Sequence, residues 1–470
     1  PPPPPPPPPT VQEHPGREAL AARRRALAEA LPPGSLALLP AAPPQIVPGT
    51  RTPRQYRQGA AFRYLAGLDA PGYALALSAP AAGPPEATLF VPDPDPTRDV
   101  WEGRTVSEQE AVEELGFERA ERYSALVGFL EGALGVGGAG TAGSAAAGSA
   151  AAAPAPASTP RRLVTEPGAW EGVPSGALVL ALCREHGSLR LAEHVHRLRW
   201  RKSPWEQEQL RRAGAVGAGA MREAMLASCE GASGGGLPGG AAPSEHLLSA
   251  VFEFACKRRG ARHLAFPPVV ASGSSACTIH YSRNDQPLRP GDLVLMDAGC
   301  ELGGYCSDVS RTWPVGGRFS PVQRAVYTEV LEAHQQCVAA CQAGSTAQEV
   351  HALSVQKLQE GLARLGAFGG GAGGGGRAYM RFYPHSVTHW LGMDVHDTPS
   401  VPLSQVLEPG VALTIEPGLY FPDAPDVPRS LRGIGVRIED DVLVTPEGPE
   451  VLSAGVPVEP DQLEALLTSA

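Results

Sequence analysis

At 470 residues the chain exceeds the length over which one hydrophobic core usually grows, so at least two domains are expected. A hydrophobic fraction of 43% and a charged fraction of 19% fit a globular protein, while 55 glycines and 50 prolines assign much of the length to loops and linkers. A formal net charge of −10 without a long basic run argues against nucleic acid or an anionic membrane as the partner, and no apolar run reaches the roughly 20 residues that span a bilayer.

Residues 1–15 open on nine prolines and read as a disordered or extended leader. Structure is expected to begin after Gly16, where REALAARRRALAEAL has helical spacing, and Arg23 to Arg25 within it read as a solvated helix face. The apolar run of PPGSLALLPAA, then YALALS and ATLFVP, read as strands between Pro/Gly turns, an α/β alternation. From Gly128 to Pro160 the chain falls to Ala, Gly, Ser and Pro, and this 128–160 stretch is expected to be a flexible low-complexity insert, with too little apolar surface to offset the entropy of ordering. SGALVLALC resumes strand character. A helical stretch around the Pro204 start signal puts the domain boundary at Arg199 to Pro204, giving an N-terminal domain over 16–200 and a second over 201–470. Helices then alternate with strand pairs, and glycine-rich runs at Gly231–Gly240 and Gly366–Gly376 read as exposed loops. Eight cysteines without a CxxC pair point to a reducing compartment, with Cys337 and Cys341 at i and i+4 suited to helix packing.

The chemistry sits in the second half. DLVLMDAGCELGGYCSDVSRTWPV reads as two strands joined at a Gly-Gly turn, with Asp297 on one arm and Asp308 on the other. Facing the same side they would repel unless a cation lay between them; otherwise one caps a turn and the other is solvated. Glu416 ends an apolar strand before a Pro-Gly turn, and alternation in GIGVRIEDD sends Arg437 and Glu439 to the face opposite Val436 and Ile438. Charged residues inside strands need partners. His385, His389 and His396 lie in YPHSVTHWLGMDVHDTP and His280 in CTIHYSRND. If Asp297, Asp308, Glu416, Glu439 and one histidine converge, four carboxylates and an imidazole match two divalent cations. Such ligation suits Mn²⁺, Co²⁺ or Mg²⁺, with Zn²⁺ also admissible. A hydroxide bridging two such ions is a nucleophile, and hydrolysis is the natural output.

The ordered set HYSRN, LMDAGCELGGYCSDVSRTWPV, HWLGMDVHD, TIEPGLY and GVRIEDDVLVT resembles the proline-specific metallopeptidases of the pita-bread fold, above all the Xaa-Pro aminopeptidases and their type 3 group. The resemblance implies an α/β N-terminal domain of the creatinase/prolidase, ribonuclease-H-like class followed by an α+β pita-bread catalytic domain. It implies metal ligands at Asp297, Asp308, His389, Glu416 and Glu439, with Asp308 and Glu439 bridging two divalent ions, Mn²⁺ foremost. Glu416 would also be general base, and His280 and His396 would contact substrate and stabilise the tetrahedral intermediate. His385 and Arg437 complete the substrate-side set, Arg437 also orienting the acids. The implied reaction removes the N-terminal residue from peptides with proline second, in a soluble, mitochondrial or cytoplasmic homodimer. Competing expectations are an Xaa-Pro dipeptidase, a methionine aminopeptidase and a metal-free module of the same fold that binds peptides or proteins.

Overall fold

The computed structural model describes residues 14–135, 162–229, 243–368 and 377–469. The Pro-rich leader up to residue 13, residues 136–160 of the expected insert, all of Gly231–Gly240 and most of Gly366–Gly376 lie outside the described residues. The chain divides into two compact units, Pro1–Leu198 and Arg199–Ala470.

In the first unit, β1 (Ser35–Pro40), β2 (Ala74–Ala79), β3 (Glu86–Val91), β4 (Arg119–Arg122), β5 (Arg162–Thr165) and β6 (Ser188–Arg190) form one mixed sheet in the order β4-β3-β2-β1-β5-β6. The first three strands make an antiparallel meander, and β4, β5 and β6 add in parallel at its two sides. That layout is the mixed α/β sheet expected for this half. Leu36, Leu38, Phe90 and Leu163 are buried on it, each worth about 1.5–3 kcal/mol relative to exposure.

Three expectations in this unit are corrected. Residues Leu126–Leu134, placed partly in the flexible insert, form a helix whose Leu126, Leu130 and Leu134 recur every fourth position and pack into the core, with Phe129 edge-on to Phe90 at 5.2 Å. SGALVLALC is not a strand: Gly176–His186 is helical, with Val179 and Leu182 facing the sheet, and the strand slot is taken by the shorter RLVT of β5. A short apolar run does not itself distinguish strand from buried helix. Arg24 is not solvated. It is 1% exposed, and its guanidinium donates to the carbonyls of Leu65 at 2.9 Å and Leu115 at 2.8 Å, and to that of Gly116.

The second unit builds on capped helices. Pro204–Ala227, Pro321–Ala340 and Ala347–Arg364 each begin with a reciprocal capping box, Ser203 with Glu206, Ser320 with Gln323 and Thr346 with Glu349, and the first two carry proline at the first helical position. Pro204–Ala227 packs on Glu245–Arg258, and Pro321–Ala340 on Ala347–Arg364. Cys337 and Cys341 are fully buried in this packing. These helices back several small sheets. In one, β7 (His263–Leu264) joins β10 (Cys300–Leu302) and β11 (Tyr305–Cys306); in another, β8 (Val269–Ser272) joins β9 (Leu293–Ala298) and β12 (Val309–Pro314). Further on, β13 (Ala412–Ile415), β16 (Asp440–Thr445) and β17 (Gly448–Val451) form a third, and β14 (Gly418–Phe421) pairs with β15 (Ile434–Arg437).

Candidate active site

The ribbon anticipated around the Gly-Gly turn forms. Gly303 and Gly304 both adopt positive φ, 59° and 85°, as a two-residue hairpin turn demands. From that turn the register runs unbroken, Glu301 opposite Cys306, Ala298 opposite Val309 and Asp297 opposite Ser310. Asp308 is two residues before Ser310, so strand alternation gives Asp297, Asp308 and Ser310 one face. Gly299 allows the arms to close at this level: a Cβ there would lie 1.8 Å from the Ser307 carbonyl oxygen.

The other acids reach the same face by strand lashing. Thr312 Oγ1 donates to the Arg437 carbonyl at 3.0 Å and accepts from the Arg437 N–H at 3.1 Å, and the Glu439 N–H donates to the Ser310 carbonyl at 3.0 Å. The link after β15 therefore runs along β12. Glu416, directly after β13, donates its N–H to the Val387 carbonyl at 2.8 Å, and Thr414 donates its own to the His389 carbonyl at 3.0 Å. These bonds bring the histidine loop against the acids.

Asp308, His389 and Glu439 each offer one ligand atom, all within 4.8 Å of one another. His389 Nε2 is 3.3 Å from Asp308 Oδ2 and 3.8 Å from Glu416 Oε1, so Glu416 adjoins this group. Asp297 is tied in through Arg437, whose Nη2 donates to Asp297 Oδ2 at 2.6 Å, Nε to Ser310 Oγ at 2.9 Å and Nη1 to Tyr420 Oη at 2.9 Å. Ser310 Oγ in turn donates a hydrogen bond to Glu439 Oε2 at 2.7 Å. Arg437 is 2% exposed, and its three bonded nitrogens hold Asp297, Ser310 and Tyr420 in fixed positions beside the acids.

One guanidinium, bonded to Asp297 and through Ser310 to Glu439, thus stands in a cluster of four carboxylates. Burial, then the neighbouring acids, pushes Asp308 and Glu439 well above the usual carboxylate range. Glu416 is pushed up to about 7, by burial first, against the pull of His389 and Arg437. Buried Oδ1 atoms of Asp297 and Asp308 have no hydrogen-bond partner. His389 Nδ1 lies 3.2 Å from the Trp390 carbonyl, an acceptor that calls for a proton on Nδ1, while Nε2 faces the carboxylates. An imidazole nitrogen facing carboxylate oxygens, beside orphaned buried oxygens, is a donor set that a cation satisfies. The residues fit divalent metal.

The remaining histidines differ. His385 Nε2 is 2.9 Å from Tyr420 Oη and Nδ1 is 2.8 Å from the Ser386 carbonyl. Tyr420, already accepting from Arg437, donates to Nε2, which leaves the proton on Nδ1. Burial and then Arg437 hold this imidazole down at about 4, so it is neutral and braces Tyr420 behind Glu416, 3.7 Å away. His396 is exposed, its ring 4.3 Å from that of His389. Burial first, then the charges of His389 and His280, lowers its basicity. His280 is also exposed.

Sequence reasoning missed Ser310, Tyr420 and Asp441, whose two oxygens accept the Asp308 N–H at 3.1 Å each. Ser310 carried a usable signal, its i+2 spacing from Asp308; Asp441 carried none beyond being an acid in a strand.

The sequence profile of metallopeptidase family M24 matches residues 208–446, and that of the aminopeptidase P N-terminal domain matches 20–138. The mitochondrial intermediate cleaving peptidase 55 of Arabidopsis thaliana is 35% identical over 95% of this chain and 82% of its own length. Human Xaa-Pro aminopeptidase 3 is 35% identical over 89% of this chain and 78% of its own. Aminopeptidase P from E. coli, solved with the inhibitor Pro-Leu, superposes with a TM-score of 0.80 at 32% identity, covering 96% of this chain and 98% of that one. Family profile, relatives and fold agree along nearly the whole length, and the chain belongs to metallopeptidase family M24, among its Xaa-Pro aminopeptidases.

Proposed function

We propose that the chain is a two-metal aminopeptidase that hydrolyses the N-terminal Xaa-Pro bond of peptides. The observation that carries this reading is the convergence of Asp308, His389 and Glu439 within 4.8 Å, bordered by Glu416, with a buried Oδ1 on each of Asp297 and Asp308 left unbonded. Asp297, Asp308, His389, Glu416 and Glu439 would hold two divalent cations, Mn²⁺ foremost, with Asp308 and Glu439 shared between them. When bound, the pair supplies Lewis acidity toward the scissile carbonyl and lowers the pKa of water enough to furnish hydroxide.

The chain's own residues do the rest. Glu416, beside His389 at the edge of the cluster, takes the proton of the attacking water and returns it to the departing proline nitrogen. That transfer matters because a prolyl nitrogen leaves as a secondary amine. Arg437, fixed by Tyr420 and Ser310, keeps Asp297 and Glu439 turned into the cluster. His280 and His396, both exposed, hydrogen-bond the carbonyl oxygen as negative charge develops on it. An X–Pro bond has no N–H at proline, so selection falls on the ring's shape and not on strand-like pairing.

Relatives named Xaa-Pro aminopeptidase and the Pro-Leu complex of the E. coli enzyme support this substrate class. The Arabidopsis relative, named as mitochondrial, supports a mitochondrial setting, and no helix among the described residues is long and apolar enough to cross a membrane. A homodimer is part of the same proposal. The test compares Xaa-Pro-Xaa tripeptides with Xaa-Pro dipeptides on Mn²⁺-loaded protein. Faster tripeptide cleavage is expected; preference for the dipeptide would make the chain a dipeptidase.

A further inference from the structure

We propose that Asp397, clamped by Arg199 and Lys202, is a positioning residue that sets the orientation of His396. The inference rests on the reading of His396 given above, and it concerns residues that the two-metal account leaves unused.

His396 is exposed and has few constraints of its own beyond ring contact with His389. Its neighbour Asp397 is the opposite, 2% exposed. One carboxylate oxygen of Asp397 meets the guanidinium of Arg199, and the other lies 3.2 Å from Lys202 Nζ. Arg199 also reaches Asp394 Oδ2 at 2.8 Å. The Arg199 and Lys202 side chains are 3% and 1% exposed, so two cations are stored beneath one short loop.

The loop is built around that charge. The Asp397 N–H donates to the Trp390 carbonyl at 2.8 Å, the Gly392 N–H to the Asp394 carbonyl at 3.1 Å, and the Cys306 N–H to the Gly392 carbonyl at 2.8 Å. Only glycine fits at 392: a Cβ there would lie 2.4 Å from Asp397 Oδ2 and 3.1 Å from Lys202 Cε. Directly after Asp397, Thr398 holds φ at +46° while fully buried, a conformation that β-branched residues avoid and that persists only where its surroundings over-determine it.

Stability alone does not call for such a device. Burying two cations against acids is commonly no better than packing apolar residues of the same volume, while charge pairs fix geometry with a directionality that apolar contacts lack. What they fix here is the backbone on which His396 stands, and the same ring must meet a developing charge within a few tenths of an ångström to be effective.

The test is a double-mutant cycle with an independent spectroscopic readout. Asp397→Asn is expected to lower kcat on an Xaa-Pro tripeptide roughly 10- to 100-fold with KM nearly unchanged. Combined with His396→Ala, it should slow the enzyme no further than His396→Ala alone, because Asp397 acts through that ring. Fully additive losses overturn the inference. In Zn²⁺-loaded protein carrying ¹³C-labelled histidine, the His396 imidazole resonance, identified by its loss in His396→Ala, should move in both Asp397→Asn and Lys202→Met. Lys202→Met leaves the Arg199 contact in place and carries both readouts if Asp397→Asn does not fold. An unmoved resonance overturns positioning. Should His396→Ala retain full activity while the resonance still moves, positioning stands and the catalytic reading of His396 fails.

Discussion

Replacing Asp308 by Asn separates the two roles of the acidic cluster, because the sign of the effect depends on metal. Asp308 and Glu439 are 4% and 2% exposed, with ligand atoms within 4.8 Å. Two unit charges at that distance repel by about 3 kcal/mol at an effective dielectric constant of about 20. Partial protonation relieves some of this, as the raised proton affinities of both groups require. Metal-free Asp308→Asn is therefore expected to be more stable than the metal-free parent by about 1–3 kcal/mol. The Asp308 N–H bond to Asp441 belongs to the backbone and survives the change. With Mn²⁺ at a hundredfold excess over Kd at both sites, the parent gains about 2.7 kcal/mol per ion, a gain the variant forfeits as its affinity falls. The stability order should thus invert between EDTA and Mn²⁺, and turnover should be lost. Urea unfolding in both conditions reads this directly. A metal-free variant less stable than the metal-free parent would refute the reasoning, because the acids would then be mutually satisfied without a cation.

Other perturbations probe the frame. Ser310→Ala removes the donor to Glu439 and the acceptor of Arg437 Nε, and should cost about 1–3 kcal/mol together with a fall in kcat, read by thermal melts and kinetics. Gly299→Ala forces the ribbon apart at Asp308 and should destabilise by at least about 1–3 kcal/mol while weakening Mn²⁺ binding, measured by calorimetry. Leu130→Ala, in the helix that replaces the start of the expected insert, should cost about 2–5 kcal/mol in urea unfolding if that leucine is core.

The legible parts of the sequence were those where local chemistry decides the outcome. The Pro204 helix start and the Gly303–Gly304 turn declare themselves within a few residues. Asp297 and Asp308 could be put on one ribbon because strand alternation is strict. Failures came where tertiary contacts override composition. Gly128 and Gly132 lower the apparent order of a segment that three leucines nonetheless dock, and Arg24 is drawn inward by carbonyls 41 and 91 residues away. At the site, the carboxylates and histidines were visible as residue types. The bonds that aim them, Ser310 to Glu439 or Tyr420 to His385, join positions more than 30 residues apart and leave no local mark.

The central claim is that these acids and His389 hold catalytic metal. Its most direct measurement is cleavage of an Xaa-Pro-Xaa peptide by protein stripped with a chelator and then titrated with Mn²⁺, with bound metal counted in parallel. The account predicts no activity in the stripped protein, and recovery that saturates near two ions per chain. Full cleavage by demonstrably metal-free protein, or Mn²⁺ binding that never yields cleavage, would contradict it.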